Sequence, residues 1–186
     1  WVKQPKTWIS VGCGTARDIE FVTGHVKAAG TKVYLVDLSD ALLDMARARV
    51  IELGLQTQVV LVEGDINSPD VRKKLPKQAD LVTCSYCLTM IPPWKEALTT
   101  MTDLVAPGGN LALIDFVTRE GQEKRWKQRL YKWWFAMDGV YFNRGHVDWL
   151  KARKDLTTVW YSEEESRVPY TPYRPTHYLY CAEKTA

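Results

Sequence analysis

Short runs of β-branched and aliphatic residues alternate along this chain with segments whose apolar positions recur every third or fourth residue. TWISV (7–11), KVYLVD (32–37), QVVLVEGD (58–65), ADLVTCSY (79–86) and NLALIDF (110–116) are nearly continuous in apolar character, as strands buried on both faces are. Helical spacing predicts a helix over about 16–29. A second, capped by Ser39 or Asp40, carries Leu42, Leu43, Met45, Ala46 and Val50 and ends at Gly54. A short third helix starts from Ser68-Pro69, and a fourth runs from Pro92 to about Val105. Pro107-Gly108-Gly109 then turns the chain into the fifth strand. Strictly alternating strands and helices predict a parallel sheet covered on both sides.

The last third breaks this rhythm. Residues 121–137 predict a basic, aromatic helix and 146–154 a shorter one, and TTVWYS (157–162) and HYLYCAE (177–183) predict two more strands. The fold class expected is therefore α/β: a doubly wound, Rossmann-like, seven-stranded and mostly parallel sheet with an antiparallel C-terminal strand pair. No repeat or internal linker divides the chain, so residues 1–186 are expected to form a single domain. Because WVKQPKTWISV runs at once into a core strand, that domain is expected to be truncated at its N-terminus and cut from a longer chain.

Composition narrows the class only a little. A net charge of +3 is too small to argue for nucleic acid, and no apolar run reaches the roughly 20 residues that span a bilayer. Four cysteines without framework spacing predict reduced thiols. Cys84 and Cys87 form a C-x-x-C with no second ligand pair, so neither metal nor disulfide chemistry is expected there.

Candidate chemistry gathers where strands end. Val11-Gly12-Cys13-Gly14-Thr15-Ala16 follows the first strand, and its glycines permit a tight turn and close approach of backbone to a ligand. Asp37 ends the second strand, about 20 residues on, where a carboxylate binds ribose hydroxyls and repels a 2′-phosphate, against NADP. Asp65 ends the third strand on the same sheet edge. Each Asp alone is as well explained as a cap or turn residue; together they point to a ligand site. A dinucleotide G-x-G-x-x-G needs glycine where Arg17 stands, so a dehydrogenase fits less well.

VGCGTARD, YLVDLSDALLDMAR, VEGDI, LVTCSY and LVAPGGNLALIDF, in that order over about residues 7–117, resemble the successive motifs of class I S-adenosylmethionine-dependent methyltransferases. The resemblance implies S-adenosylmethionine as cofactor and S-adenosylhomocysteine as product. It places Gly12, Cys13 and Gly14 along the methionine part, Asp37 on the ribose with Leu38 beside the adenine, and Asp65 and Ile66 at the adenine edge. Cys84 and Ser85 are implied to lie near the methionine amino group, with Tyr86 toward the substrate. Two positions depart from the pattern: Ser10 stands where the family often has an acid, and Ala16 where it often has glycine.

A narrower resemblance takes in CSYCLTMIPPW, DFVTRE, Trp126, the Trp133-Trp134 pair, DGVYFNRGHVDWL and VPYTPYRPTHYLYCAEK. These are similar to the methyltransferase part of betaine-lipid synthases, which trimethylate diacylglyceryl-homoserine. That implies N-methyl transfer to an amino-lipid, peripheral contact with a membrane on its cytoplasmic side (the endoplasmic reticulum in a eukaryote), and a homoserine-transferring partner, fused or separate. The helix over 121–137 is compatible: Trp126, Leu130, Trp133 or Trp134, and Met137 share helical spacing among Lys124, Arg125, Lys127, Arg129 and Lys132. The same stripe would equally suit packing on the sheet. Phosphatidylethanolamine or a small amine as acceptor, and a non-catalytic membrane-associated module, are the alternatives.

Methyl transfer to an amine requires alignment and loss of the ammonium proton, for which Tyr86, His146 and Tyr141 are candidates. A quaternary product favours aromatic faces, which Tyr86, Tyr141, Trp149 and Tyr178 can supply. Ile91-Pro92-Pro93-Trp94 resembles the tetrapeptide with which some methyltransferases grip an amino group. Ile91 accepts no hydrogen bond, however, so the prolines are expected to open the fourth helix and position it as a wall of the site.

Overall fold

In a computed structural model, residues 4–118, 121, 126–137, 139–165 and 174–185 are described. Strands β1 (Thr7–Val11), β2 (Lys32–Asp37), β3 (Val59–Glu63), β4 (Ala79–Ser85) and β5 (Val105–Phe116) are parallel, and β6 (Leu156–Glu165) and β7 (Thr176–Lys184) pair antiparallel. The order across the sheet is β3-β2-β1-β4-β5-β7-β6. This is the expected seven-stranded plan, with β7 inserted between β5 and β6. Successive strands are added in one direction from β1 to β3 and in the other from β4 onward, so the order switches between the parallel neighbours β1 and β4, and such sheets hold ligands there.

Helices α1 (Thr23–Ala29) and α2 (Asp40–Glu52) cover one face; α3 (Pro69–Lys74), α4 (Trp94–Leu104) and α6 (Gly145–Ala152) cover the other. Val26, Ala46 and Val50 pack with Trp8, Val33 and Leu35. On the opposite face, Leu98, Met101, Val147 and Leu150 pack with Val82, Leu111, Leu113 and Tyr178. Ser39 caps α2 by accepting from the Leu42 N–H at 3.4 Å, and Ser68 caps α3 by accepting from the Asp70 N–H at 3.3 Å, with Pro69 opening that helix.

Several boundaries differ from the sequence pattern. The helix expected over 16–29 is a 3-10 helix at Arg17–Val22 followed by α1, because the glycine loop delivers the chain through left-handed Ala16 rather than straight into an α-turn. Pro92 and Pro93 lie before α4 instead of inside it; Pro93, with ψ of 52°, is its flanking residue. β5 begins at Val105 and takes Pro107-Gly108-Gly109 into the strand. α5 (Trp126–Met137) lies within the span expected for a basic helix; residues 122–125 fall outside the described residues.

Candidate active site

Every loop that leaves the carboxyl end of β1, β2, β3 or β4 contributes to one cavity of about 520 Å³, a size suited to a cofactor. Its wall includes Gly12, Cys13, Gly14, Asp37, Leu38, Asp65, Ile66, Ser85 and Tyr86, all singled out from sequence. A second cavity, about 440 Å³, sits at the amino ends of β4 and β5 around Lys6, Asp80 and Asn110 and holds none of those residues.

The glycine loop is held by the strand beside it. The Cys13 N–H donates to the Val36 carbonyl at 3.1 Å, and the Gly14 N–H donates to Asp37 Oδ2 at 2.7 Å. Asp37 Oδ1 accepts from the Ser39 N–H at 3.0 Å. A carboxylate has about four lone-pair sites, so both oxygens keep capacity for a ligand's hydroxyls. Asp37 thus shapes the loop and also presents a charge to the cavity. Asp65 makes an equivalent turn, accepting from the Asn67 N–H at 2.9 Å while its side chain stays exposed. Beside them Leu38, 72% exposed, and Leu42 offer apolar surface on the cavity wall.

Gly12 has φ of +64°, and a Cβ there would lie 2.2 Å from Cys87 Sγ. The loop therefore passes directly against the segment after β4. Ala16 repeats the left-handed turn at φ of 57° while being buried at 2% exposure. The glycine common at this place in the resembled family would be free of strain; alanine here costs about 1–2 kcal/mol, so this departure concerns backbone conformation as well as size.

Tyr86 is the second non-glycine residue with positive φ among the described residues, at 51°. Its N–H donates to the Ile114 carbonyl at 2.8 Å, which fixes the tip of β4 to β5. Its ring lies 5.0 Å from Phe116 and 6.2 Å from His177, and Phe116 stacks on Phe142 at 5.3 Å. Below them the buried Asp115 carboxylate accepts from the Thr89 N–H at 2.9 Å, Thr89 Oγ1 at 2.7 Å and the Phe116 N–H at 2.7 Å. Burial pushes the Asp115 carboxyl up from its usual range, and these hydrogen bonds oppose that shift. Burial, then the charges of Asp115 and Asp18, raise the Tyr86 phenol. Near neutral pH Tyr86 is therefore a protonated phenol that presents a ring face and a hydroxyl, and a poor proton acceptor.

The other expected residues lie elsewhere. Cys84 is buried and does not line the cavity; a hydrogen bond with Cys87, then burial, holds its thiol well above the usual range. The thiols on the wall are Cys87 and Cys13, and burial followed by the Asp37 charge pushes Cys13 up to about 12. His146 is 1% exposed, set edge-on to Trp94 at 4.8 Å, and burial alone lowers it to about 4. It is a neutral core imidazole away from the cavity. Tyr141 is exposed at the surface, its N–H donating to the Thr89 carbonyl at 2.9 Å. Trp149 stacks under Arg153 at 4.9 Å, and Tyr178 is wholly buried.

Sequence reading passed over Asp18, Arg17, Met90, Phe116, Phe142 and His177. Asp18 and Arg17 stand on the cavity rim because the 3-10 helix carries them back over the loop. Phe142 and His177 arrive from distant parts of the chain and carry no local signal. His177, whose pKa burial lowers, is the buried imidazole set against a cavity-wall ring.

The curated relatives that the chain matches include the ubiquinone/menaquinone biosynthesis C-methyltransferase UbiE of Pseudomonas fluorescens, 26% identical over 106 residues, or 55% of this chain and 39% of that protein. The demethylmenaquinone methyltransferase of Bacillus mycoides is 32% identical over 117 residues, covering 61% of this chain and 46% of that one. The chain thus spans less than half the length of either relative. Among solved structures, the Bacillus halodurans protein BH2331 superposes with a TM-score of 0.76 at 16% identity, over 99% of this chain and 94% of that one, a likeness of fold. The family described as "Methyltransferase domain" matches residues 1–161. The chain belongs to that family: it is a methyltransferase domain of the Rossmann-like class, whose cofactor is S-adenosylmethionine.

Proposed function

We propose that this methyltransferase acts on the amino group of a lipid headgroup, with diacylglyceryl-homoserine as acceptor and N-methylated betaine lipid as product. The observation that carries the reading is the aromatic wall beside the cofactor cavity: Tyr86 against Phe116, and Phe116 stacked on Phe142. Aromatic faces stabilise a methylated ammonium by about 0.5–2 kcal/mol each, more as water is excluded.

S-adenosylmethionine, when bound, supplies an electrophilic methyl group on a positively charged sulfur. The residues present fit it. Gly14 has open space where a Cβ would stand, Asp37 keeps acceptor capacity, and Leu38, Leu42 and Ile66 give an apolar wall for a flat base. Asp37 would hold the ribose hydroxyls and Asp65 the adenine amino group. Since Ser10 offers no charge and is buried in β1, the rim carboxylate of Asp18 is the acid available to an ammonium. Tyr86 and Phe116 would set the acceptor nitrogen against the cofactor, orientation being most of what a methyl displacement requires. The acceptor must shed a proton before each attack, and His177, neutral and beside Tyr86, is positioned to pass it on.

The curated relatives support a second reading, methyl transfer to a quinone-ring carbon, because UbiE of Pseudomonas fluorescens is a C-methyltransferase of ubiquinone and menaquinone biosynthesis. One panel separates the two. The protein is given tritiated S-adenosylmethionine with detergent-dispersed diacylglyceryl-homoserine, phosphatidylethanolamine, a demethylated menaquinol and soluble amines. Label in diacylglyceryl-homoserine, falling at least about tenfold in Tyr86→Ala, is expected. Label confined to the quinol or to soluble amines sinks the lipid-amine reading.

A further inference from the structure

We infer that the outer face of α5 is a membrane-docking surface that takes an anionic lipid bilayer. Leu130, Trp133, Trp134 and Met137 recur at i, i+3, i+4 and i+7 and span an arc of about 100° on the helix. A stripe of that kind usually faces a protein core. Here it faces solvent: the four side chains are 46%, 62%, 59% and 62% exposed. Exposed Tyr141 lies just beyond the helix end. The inward face is already used, because Phe135, on the opposite side, contacts Phe116 at 5.9 Å and Phe142 at 5.2 Å. The stripe is therefore surplus to folding.

Charge selects the occupant. WKQRLYKWWFAM contains three cations and no acid, and periodicity sets positions 127 and 129 on either flank of the apolar arc. Exposed tryptophans on a helix whose sequence carries cations and no acid match a helix lying in a headgroup layer, where aromatic rings sit at the boundary and lysine and arginine favour lipid phosphates. Among the described residues no helix is long and apolar enough to cross a membrane, so this contact is one of lying on the surface. Docking by α5 would bring the bilayer against the helix whose Phe135 packs on the aromatic wall at Phe116 and Phe142. The surface extends the lipid-acceptor reading and gives it a delivery route.

The test is flotation of the whole chain with vesicles of phosphatidylcholine alone or mixed in equal parts with phosphatidylserine. Wild type is expected to float with the mixed vesicles, and Trp133→Ser/Trp134→Ser to bind about 100-fold more weakly. Leu130→Ser/Met137→Ser should repeat the loss, while S-adenosylhomocysteine binding by calorimetry stays unchanged in both. Absence of vesicle binding by wild type, or equal binding by both double variants, overturns the proposal. So does a dimer in sedimentation that these substitutions dissociate, since a second copy would then cover the stripe. The acceptor panel, run in detergent, fails independently: vesicle binding without lipid methylation removes only the acceptor reading.

Discussion

Replacing Asp37 by alanine should weaken S-adenosylmethionine binding roughly 100-fold, measured by calorimetry, with the fold retained. The carboxylate has two roles. It accepts from the Gly14 and Ser39 N–H groups and so fixes the turn out of β1 and the start of α2 together. It also faces the cavity with the lone pairs left over. Hydrogen bonds to a charged group contribute about 1.5–3 kcal/mol each. Loss of two to the ribose therefore accounts for about 3 kcal/mol, before any loosening of the glycine loop. Asp37→Asn separates the two roles: its single amide oxygen can keep one backbone anchor but cannot serve both N–H groups and a ligand. Its affinity should fall between wild type and alanine. Equal affinity in all three proteins would mean that Asp37 serves the turn alone.

Gly12→Ala should be the most damaging single methyl in the chain. The added Cβ would lie 2.2 Å from Cys87 Sγ and 2.4 Å from Cys87 Cβ, at a φ of +64° that alanine adopts only with strain. Backbone strain costs about 1–2 kcal/mol and overpacking about 1–3 kcal/mol. Together these should lower the melting temperature by about 6–15 °C. Because Gly12 and Cys87 both line the cavity, cofactor affinity should fall with stability. Cys87→Gly in the same chain removes the collision and leaves the strain, so a double-mutant cycle should recover about half of the loss. No coupling between the two positions would contradict the close approach of the glycine loop to the segment after β4.

What could be read from residues alone divides along the chain. Strands β1 to β5 were legible because parallel strands buried on both faces are continuous apolar runs, and Val33, Leu35, Val36, Val82 and Leu111 bear that out. The cofactor side was legible too, since Asp37 ends β2 and Gly12, Gly14 and Asp65 each follow a strand within a few residues of its end. The acceptor side was not. Phe116 and His177 meet Tyr86, and Phe142 meets Phe116, only because β5 and β7 pair and the segment before α6 folds back, contacts between residues 26 or more apart. His146 shows the same limit from the other direction. A histidine beside a helix start carries the same local pattern whether it lines a site or, as here, packs on Trp94 in the core. The stripe on α5 had two readings of equal periodicity, and only the ring contacts of Phe135 on one side and the solvent exposure of the stripe on the other distinguish them.

The central claim is that cofactor and acceptor meet between the glycine loop and Tyr86, at the carboxyl ends of the strands. A crystal structure with S-adenosylhomocysteine tests it most directly. The account predicts ribose hydroxyls on Asp37, the adenine beside Leu38 and Ile66, and the sulfur turned toward Tyr86. Ligand density in the cavity around Lys6, Asp80 and Asn110, or a ribose away from Asp37, would contradict it.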